Sequence, residues 1–191
     1  MITRIGEIKD ISGIIALQKA NLYDNLSLQE RKMGFVTTPF SETQLGELLA
    51  ERGIFVAEDQ GELVGYAMAG TWDFFSQWPI FPYMVSRLGS LTFPGNRILP
   101  VLSFQYGPVC ISAALRGSGL FPLLFEEMRL EFASRFPVGL TFINRVNERS
   151  YAAHTRKLGM TVIDEFEFSG RNYYMLAFDT SRSVLRRKDR P

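Results

Sequence analysis

Gln105-Tyr-Gly-Pro-Val-Cys-Ile-Ser-Ala-Ala-Leu-Arg-Gly-Ser-Gly-Leu-Phe-Pro-Leu-Leu-Phe-Glu-Glu-Met128 reads as a β-strand, a glycine-bearing turn and the first turns of a helix. Within Arg116-Gly117-Ser118-Gly119, two residues without a Cβ allow a tight bend and let a ligand come close to the backbone amides. A helix that opens near Leu120 aims unpaired N–H groups and a partial positive charge back at that turn. Strand, turn and helix N-terminus together can cradle a pyrophosphate. A strand-turn-helix without a ligand is the plain alternative for this motif standing alone. The G-x-G-x-x-G pattern fails at Phe121-Pro122, and the chain has no Gly-Lys-Ser/Thr.

Outward from that stretch, Leu120, Leu124, Met128 and Phe132 form one apolar stripe of a helix that Pro137 stops, with Glu126, Glu127 and Glu131 on a solvated face. Pro108, inside the preceding strand, cannot donate to a ladder and predicts a bulge or a strand that parts from its neighbour. Val138 to Ile143 predicts a strand, and Asn147 caps a helix that Gly159 ends. Two antiparallel strands, Thr161 to Phe168 and Tyr173 to Phe178, close the domain. Arg182 to Arg190 reads as a frayed basic tail.

Towards the N-terminus, Ile2 to Ile8 has strand character. Asp10 is placed to cap a helix carrying Ile11, Ile14, Ile15 and Leu22. Asn25 to Phe40 predicts a loop or a short broken helix. Ser41-Glu-Thr-Gln44 fits a capping box before Leu45, Leu48 and Leu49, in a helix that Gly53 ends. Ile54 to Glu58, Asp59-Gln-Gly61 and Glu62 to Ala69 predict a hairpin. Trp72 to Pro100 carries Trp72, Phe74, Phe75, Trp78, Phe81, Tyr83 and Phe93, with Pro79 and Pro82 able to open a short helix through Leu91. So much aromatic surface must bury, as extra core, as a subunit contact in a homodimer, or as the wall of an acceptor pocket.

With 191 residues and 46% hydrophobic content, the chain can bury one compact core. That reading gives a single domain over residues 1–180, an aromatic-rich insertion at 72–100 and a basic tail over 181–191. Against 20 acidic residues, 21 Lys and Arg leave none of the basic excess that nucleic-acid binding needs. The single cysteine, Cys110, excludes an internal disulfide framework and suits a reducing compartment. Arg4, Glu7 and Lys9 break any signal-peptide core, and no later apolar run is long enough to span a bilayer. The expectation is a soluble cytoplasmic protein with no membrane or nucleic-acid partner and no metal.

Arg116-Gly117-Ser118-Gly119-Leu120 resembles motif A of the GNAT superfamily of acyl-CoA-dependent N-acyltransferases, with Phe121 where a small residue is usual. Asn147-Glu-Arg-Ser150, His154 and Leu158-Gly159-Met160 resemble its motif B, with His154 at the usual Tyr position and one extra residue before the Leu-Gly pair. Two motifs in order, separated by a strand, are more specific than either alone. The resemblance implies an α/β (α+β) fold: a mixed, mostly antiparallel central sheet, helices on both faces and a splayed fourth and fifth strand pair. It implies acetyl-CoA as cosubstrate, with Val109, Cys110 and Ile111 lining the pantetheine arm. Arg116, Gly117, Ser118, Gly119, Leu120 and Phe121 would hold the pyrophosphate, and Asn147 and Ser150 would complete the site.

Transfer to a small-molecule or peptide amine needs a neutral amine, a stabilised oxyanion and a protonated leaving thiolate. The positions that often carry a glutamate base in the family are Gln105 and the neighbourhood of Phe142, neither of which accepts a proton. A water chain, Asp73, or no dedicated base remain. His154, the only histidine, and Tyr151 on the same helix face are the candidate acids; a packed, non-catalytic histidine is the alternative. Cys110 lacks the partner a nucleophile wants and reads as structural. The functional expectation is an N-acetyltransferase; the rival is a catalytically silent acyl-CoA-binding domain.

Overall fold

The computed structural model describes residues 1–185. Seven strands, β1 (Ile2–Ile5), β2 (Ile54–Asp59), β3 (Glu62–Gly70), β4 (Ser103–Ile111), β5 (Val138–Asn144), β6 (Thr161–Phe168) and β7 (Arg171–Asp179), make an open sheet in the order β1-β2-β3-β4-β5-β7-β6, mixed and mostly antiparallel. The described residues separate into two compact units, one of residues 1–69, 107–131 and 183–185, the other of residues 70–106 and 132–182.

In the first unit β1 (Ile2–Ile5), β2 (Ile54–Asp59) and β3 (Glu62–Gly70) pair antiparallel. The expected hairpin forms, because Gln60 and Gly61 adopt φ of 50° and 84° and such a two-residue turn matches the strand twist. Four successive residues of β2, Ile54 to Ala57, are buried, the pattern of a strand covered on both faces. Gly53 is required by close approach: a Cβ there would lie 2.1 Å from the carbonyl oxygen of Ala69. Helix α1 (Ile11–Asn21) is not capped by Asp10 as expected. That carboxylate instead accepts from Arg4 at 2.7 and 2.9 Å and from the Glu7 N–H at 2.8 Å, closing a short turn at Ile8–Asp10. The buried line of α1 also mixes polarity, with Gln18 and Asn21 beside Ile14, and Leu22 lies beyond the helix. Gln18 is matched to the Phe40 backbone, donating to its C=O and accepting from its N–H at 3.0 and 2.9 Å.

Between them stands α2 (Leu28–Arg31), a single turn fixed by a Ser27–Glu30 capping box. Helix α3 (Glu42–Ala50) starts on the predicted box: the Gln44 N–H donates to Ser41 Oγ at 3.3 Å and the Ser41 N–H to Gln44 Oε1 at 2.9 Å. Leu45 and Leu48 are fully buried.

The second unit holds the aromatic segment as α4 (Trp72–Phe75) and α5 (Ile80–Leu88). Most of it builds core. Phe75, Phe81, Met84 and Leu88 are buried, Phe75 lies 4.7 Å from Phe81, and Phe81 meets Phe142 edge-on at 5.5 Å. Tyr83 packs against Phe166 and Phe168, and Arg87 binds Asp164 at 2.6 Å. β5 (Val138–Asn144) pairs along its whole length with β7 (Arg171–Asp179), which pairs with β6 (Thr161–Phe168). Gly139 makes room for Phe178, whose ring would sit 2.0 Å from a Cβ at that position.

β4 (Ser103–Ile111) runs parallel to β5 over three pairs, Ser103↔Val138, Phe104↔Gly139 and Gln105↔Leu140. The division between units falls after Tyr106, at Gly107, whose φ of 110° bends the strand before Pro108. α6 (Leu120–Ala133) buries the predicted stripe of Leu120, Leu124, Met128 and Phe132. Glu126 does not sit on a solvated face. It is buried with Arg129, at 2.7 and 2.9 Å, and accepts from the Val184 N–H at 3.3 Å, so the segment after Arg182 is docked at least to that point. Burial alone would raise the Glu126 pKa, but Arg129, Ser183 and Val184 together hold it below the usual carboxylate range. The rest of the expected tail, 186–191, lies outside the described residues.

Candidate functional site

In the first unit, the end of β4 leads through a short turn at Ala113–Leu115 into the glycine turn and α6. Gly117 and Gly119 take φ of 92° and 93°, a region that side chains disfavour, which explains two glycines around Ser118. A Cβ at either would meet nothing within 4 Å, so the space over the turn is open and the glycines serve conformation rather than relief of a clash. Gly117, Ser118 and Gly119 are exposed, whereas Leu120 is buried and anchors the first helical turn. The fourteen-residue α6 directs its N-terminal amides and dipole at this opening. An exposed turn with a glycine on either side of Ser118, at a long helix N-terminus, fits a pyrophosphate.

Arg116 faces inward from the turn. Its guanidinium donates to Asn21 Oδ1 at 2.5 Å, the Met33 carbonyl at 3.0 Å and the Ile111 carbonyl at 3.1 Å. The residue thus ties the turn to α1, to the loop after α2 and to β4. Asn21, which binds it from the end of α1, was missed by sequence reasoning; its only signal was a second polar residue, after Gln18, on the line of α1 that carries Ile14.

Val109, Cys110 and Ile111 form the last stretch of β4, and the next N–H, of Ser112, donates to the Val64 carbonyl at 2.8 Å. Cys110 is buried beside Tyr66; burial pushes its thiol up to about 12, only partly offset by the charge of Arg116. It remains a thiol at neutral pH, as the sequence led us to expect of a structural residue. A separate cleft of about 380 Å³ is lined by Arg4, Lys9, Asp10 and Glu58, among others, but Arg4 is already shared between Asp10 and Glu58.

In the second unit, α7 (Glu148–Ala152) begins at Asn147, whose side chain accepts the Ser150 N–H at 3.2 Å. The helix then widens into a π turn over Ala153–Lys157. This absorbs the extra residue before Leu158: the Met160 N–H closes on the carbonyl of His154 six residues back, with Gly159 at φ 68°. Tyr151 is half-buried and packs against Tyr174, with ring centres 4.6 Å apart and the rings tilted by 36°.

His154 lies in the π turn and is 4% exposed. Its Nδ1 is 2.7 Å from the Ser150 carbonyl oxygen and 3.3 Å from Ser150 Oγ, and its ring centre is 5.8 Å from that of Tyr106. Burial lowers its pKa from 6.5 to about 4, against a smaller opposing effect of the Ser150 carbonyl. The ring is therefore neutral near pH 7, with Nδ1–H donating to that carbonyl and the lone pair on Nε2. A ring in that state holds its one N–H in a bond to the Ser150 carbonyl, an arrangement that favours a positioning role for His154 over the expected role of general acid.

Gln105, at the strand-four position, is 1% exposed; its Nε2 donates to the Tyr106 carbonyl at 2.7 Å and its Oε1 has no hydrogen-bond partner. Among the described residues no helix is long and apolar enough to cross a membrane, and no group of three or more His, Cys, Asp and Glu side chains could hold a metal ion.

No family model matches the chain, and no curated protein matches it in sequence. Solved structures do match. yncA, a putative acetyltransferase from Salmonella typhimurium with its cofactor acetyl-CoA, superposes with a TM-score of 0.62 at 16% identity, over 94% of either chain. A GNAT superfamily phosphinothricin acetyltransferase from Sinorhizobium meliloti, in complex with acetyl-CoA, gives 0.62 at 16% identity over 93% of this chain and 87% of its own. Ribosomal-protein-alanine N-acetyltransferase from Brucella melitensis gives 0.61 at 18% identity over 94% of this chain and 99% of its own. The overall fold thus recurs across nearly the full length of these proteins, and the chain has the fold of the GNAT acetyltransferases.

Proposed function

We propose that this chain is an acetyl-CoA-dependent N-acetyltransferase acting on a primary amine in a cytoplasmic, reducing setting. The observation that carries the reading is the open Gly117-Ser118-Gly119 turn at the N-terminus of α6. Two proteins of the same fold hold acetyl-CoA, which supports the donor. The amides from Gly117 to Phe121 receive the pyrophosphate, and Arg116 braces the turn from behind. Val109, Cys110 and Ile111 offer backbone groups to the pantetheine arm, and Asn147 and Ser150 shape the start of α7.

In the transfer, the amine lone pair attacks the thioester carbonyl. A C–N bond forms, the C–S bond breaks, and the proton lost from nitrogen ends on sulfur. With His154 neutral and tied to Ser150, Tyr151 is the proton donor on α7 and His154 positions the helix turn around it. Tyr151→Phe should lower kcat by about 10²-fold or more, and His154→Gln by less. Initial rates of free-thiol release from acetyl-CoA, with a panel of primary amines, test the activity. A second reading, a catalytically silent acyl-CoA binder, draws on Gln105, which is no base. Acetyl-CoA binding without turnover on any amine would favour it.

A further inference from the structure

Resting on the acetyltransferase reading, we infer that Gln105 Oε1 receives the N–H of the acceptor, and that the acceptor is a weakly basic primary amine on an aromatic or aliphatic body. The amide orientation of Gln105 is fixed, because the Tyr106 carbonyl only accepts and so must face Nε2. Oε1 is left as a buried acceptor without a donor. Buried polar atoms are nearly always paired, so such an orphan points to a donor that arrives from outside the chain.

The face on which Gln105 lies follows from strand alternation. Ser103, two residues earlier, shares it and accepts from Trp72 Nε1 at 3.1 Å. Leu140, the β5 partner of Gln105, is followed two residues on by Phe142, which meets Phe81 at 5.5 Å, and Phe81 in turn meets Phe75 at 4.7 Å. The orphan oxygen therefore belongs to the face that α4 and α5 cover with aromatic rings. Of the carboxylates on the elements packed there, Asp73, Glu165 and Glu167 are exposed, Asp164 is bound by Arg87, and Asp179, across β5 from Ser103, is bound by Arg182. His154 packs on Tyr106, whose side chain alternates to the other face of β4.

A buried ammonium would be unpaired on such a face, and no group there takes its proton. A neutral amine suits it: one N–H donates to Oε1, which leaves the lone pair to attack the thioester carbon. The nitrogen proton then passes to the departing sulfur, so the products are the amide and the free thiol. At pH 7 an alkylamine with the basicity of a lysine is neutral in only about one molecule in 10³, an α-amine in about one in ten. An aryl or α-amine is thus available to this site where an alkylamine is not.

The test uses the full chain with acetyl-CoA and three aromatic amines of rising basicity: aniline, phenylalanine amide and phenethylamine. The expected result is a kcat/KM for phenethylamine that rises about tenfold per pH unit from 7 to 9 with its neutral fraction, while that for aniline stays flat. Gln105→Leu should raise acceptor KM about tenfold with acetyl-CoA affinity by calorimetry unchanged, and Gln105→Glu should make phenethylamine a better acceptor at pH 7. If Gln105→Leu does not fold, Gln105→Met carries the same expectation. An unchanged acceptor KM in the Leu or Met variant would mean that Oε1 meets only trapped water and would overturn the inference. A pH-independent phenethylamine rate would equally sink the choice of amine. Failure of the wild type to bind acetyl-CoA is a different outcome and would remove the acetyltransferase reading itself.

Discussion

His154 shows how far a residue type can be read without its surroundings. A lone histidine at the position of a family tyrosine suggests a proton donor, but the acid-base state is decided by what buries it. The Ser150 carbonyl is a helical neighbour four residues back, but the Tyr106 ring and the burial come from folding, so no spacing in the sequence announces them. The consequence for stability has a definite sign. A histidine whose folded pKa is about 4 binds its proton more weakly than in the unfolded chain, at 6.5, so its contribution is fully present above pH 6.5 and is lost as pH falls towards 4. That interval corresponds to a loss on the order of 3 kcal/mol for a ring this fully buried. Chemical denaturation at pH 7 and pH 4.5 should show most of this loss in the wild type and much less of it in His154→Gln. Equal pH dependence in the two proteins would place the titration elsewhere. Glu126 makes the same point in reverse: helix periodicity put it in solvent, and the fold buried it against Arg129 and the backbone of Val184.

At the level of elements, the parts set by local chemistry were legible. The Ser41 capping box, the Gln60-Gly61 hairpin turn and the Leu120–Phe132 stripe each depend on neighbours a few residues away, and each formed as expected. Ser41→Ala should cost about 1 kcal/mol of unfolding free energy, with no effect on acetyl-CoA affinity. The aromatic segment was ambiguous because ring content says that a stretch must bury, not against what. Its pairing with Phe142, Phe166 and Phe168 makes most of it core. Phe75→Ala is therefore expected to lower stability by about 3–5 kcal/mol, measured by denaturant titration. A folded Phe75→Ala protein of unchanged stability and altered acceptor preference would return that ring to the acceptor wall. The π turn was visible only as one residue too many before Leu158, a surplus that could as well have lengthened a loop.

For the whole molecule, two short motifs in the right order were enough to indicate the fold, because strand, glycine turn, helix, strand and capped helix follow one another within Gln105 to Met160. Strand order was less legible: β7 inserting between β5 and β6, and β4 running parallel to β5 over only three pairs, are long-range outcomes. The binding role of the glycine turn is where fold and function meet, and titration of acetyl-CoA by calorimetry addresses it without an acceptor being known. Gly119→Asp introduces a negative charge at the helix N-terminus, in a space that is otherwise open, and a side chain at φ 93°. Arg116→Ala, which leaves the amides in place, should weaken binding less. Saturable binding of acetyl-CoA to the wild type, abolished in a Gly119→Asp variant that still melts cooperatively, is the predicted result; equal affinity in the two folded proteins would contradict it.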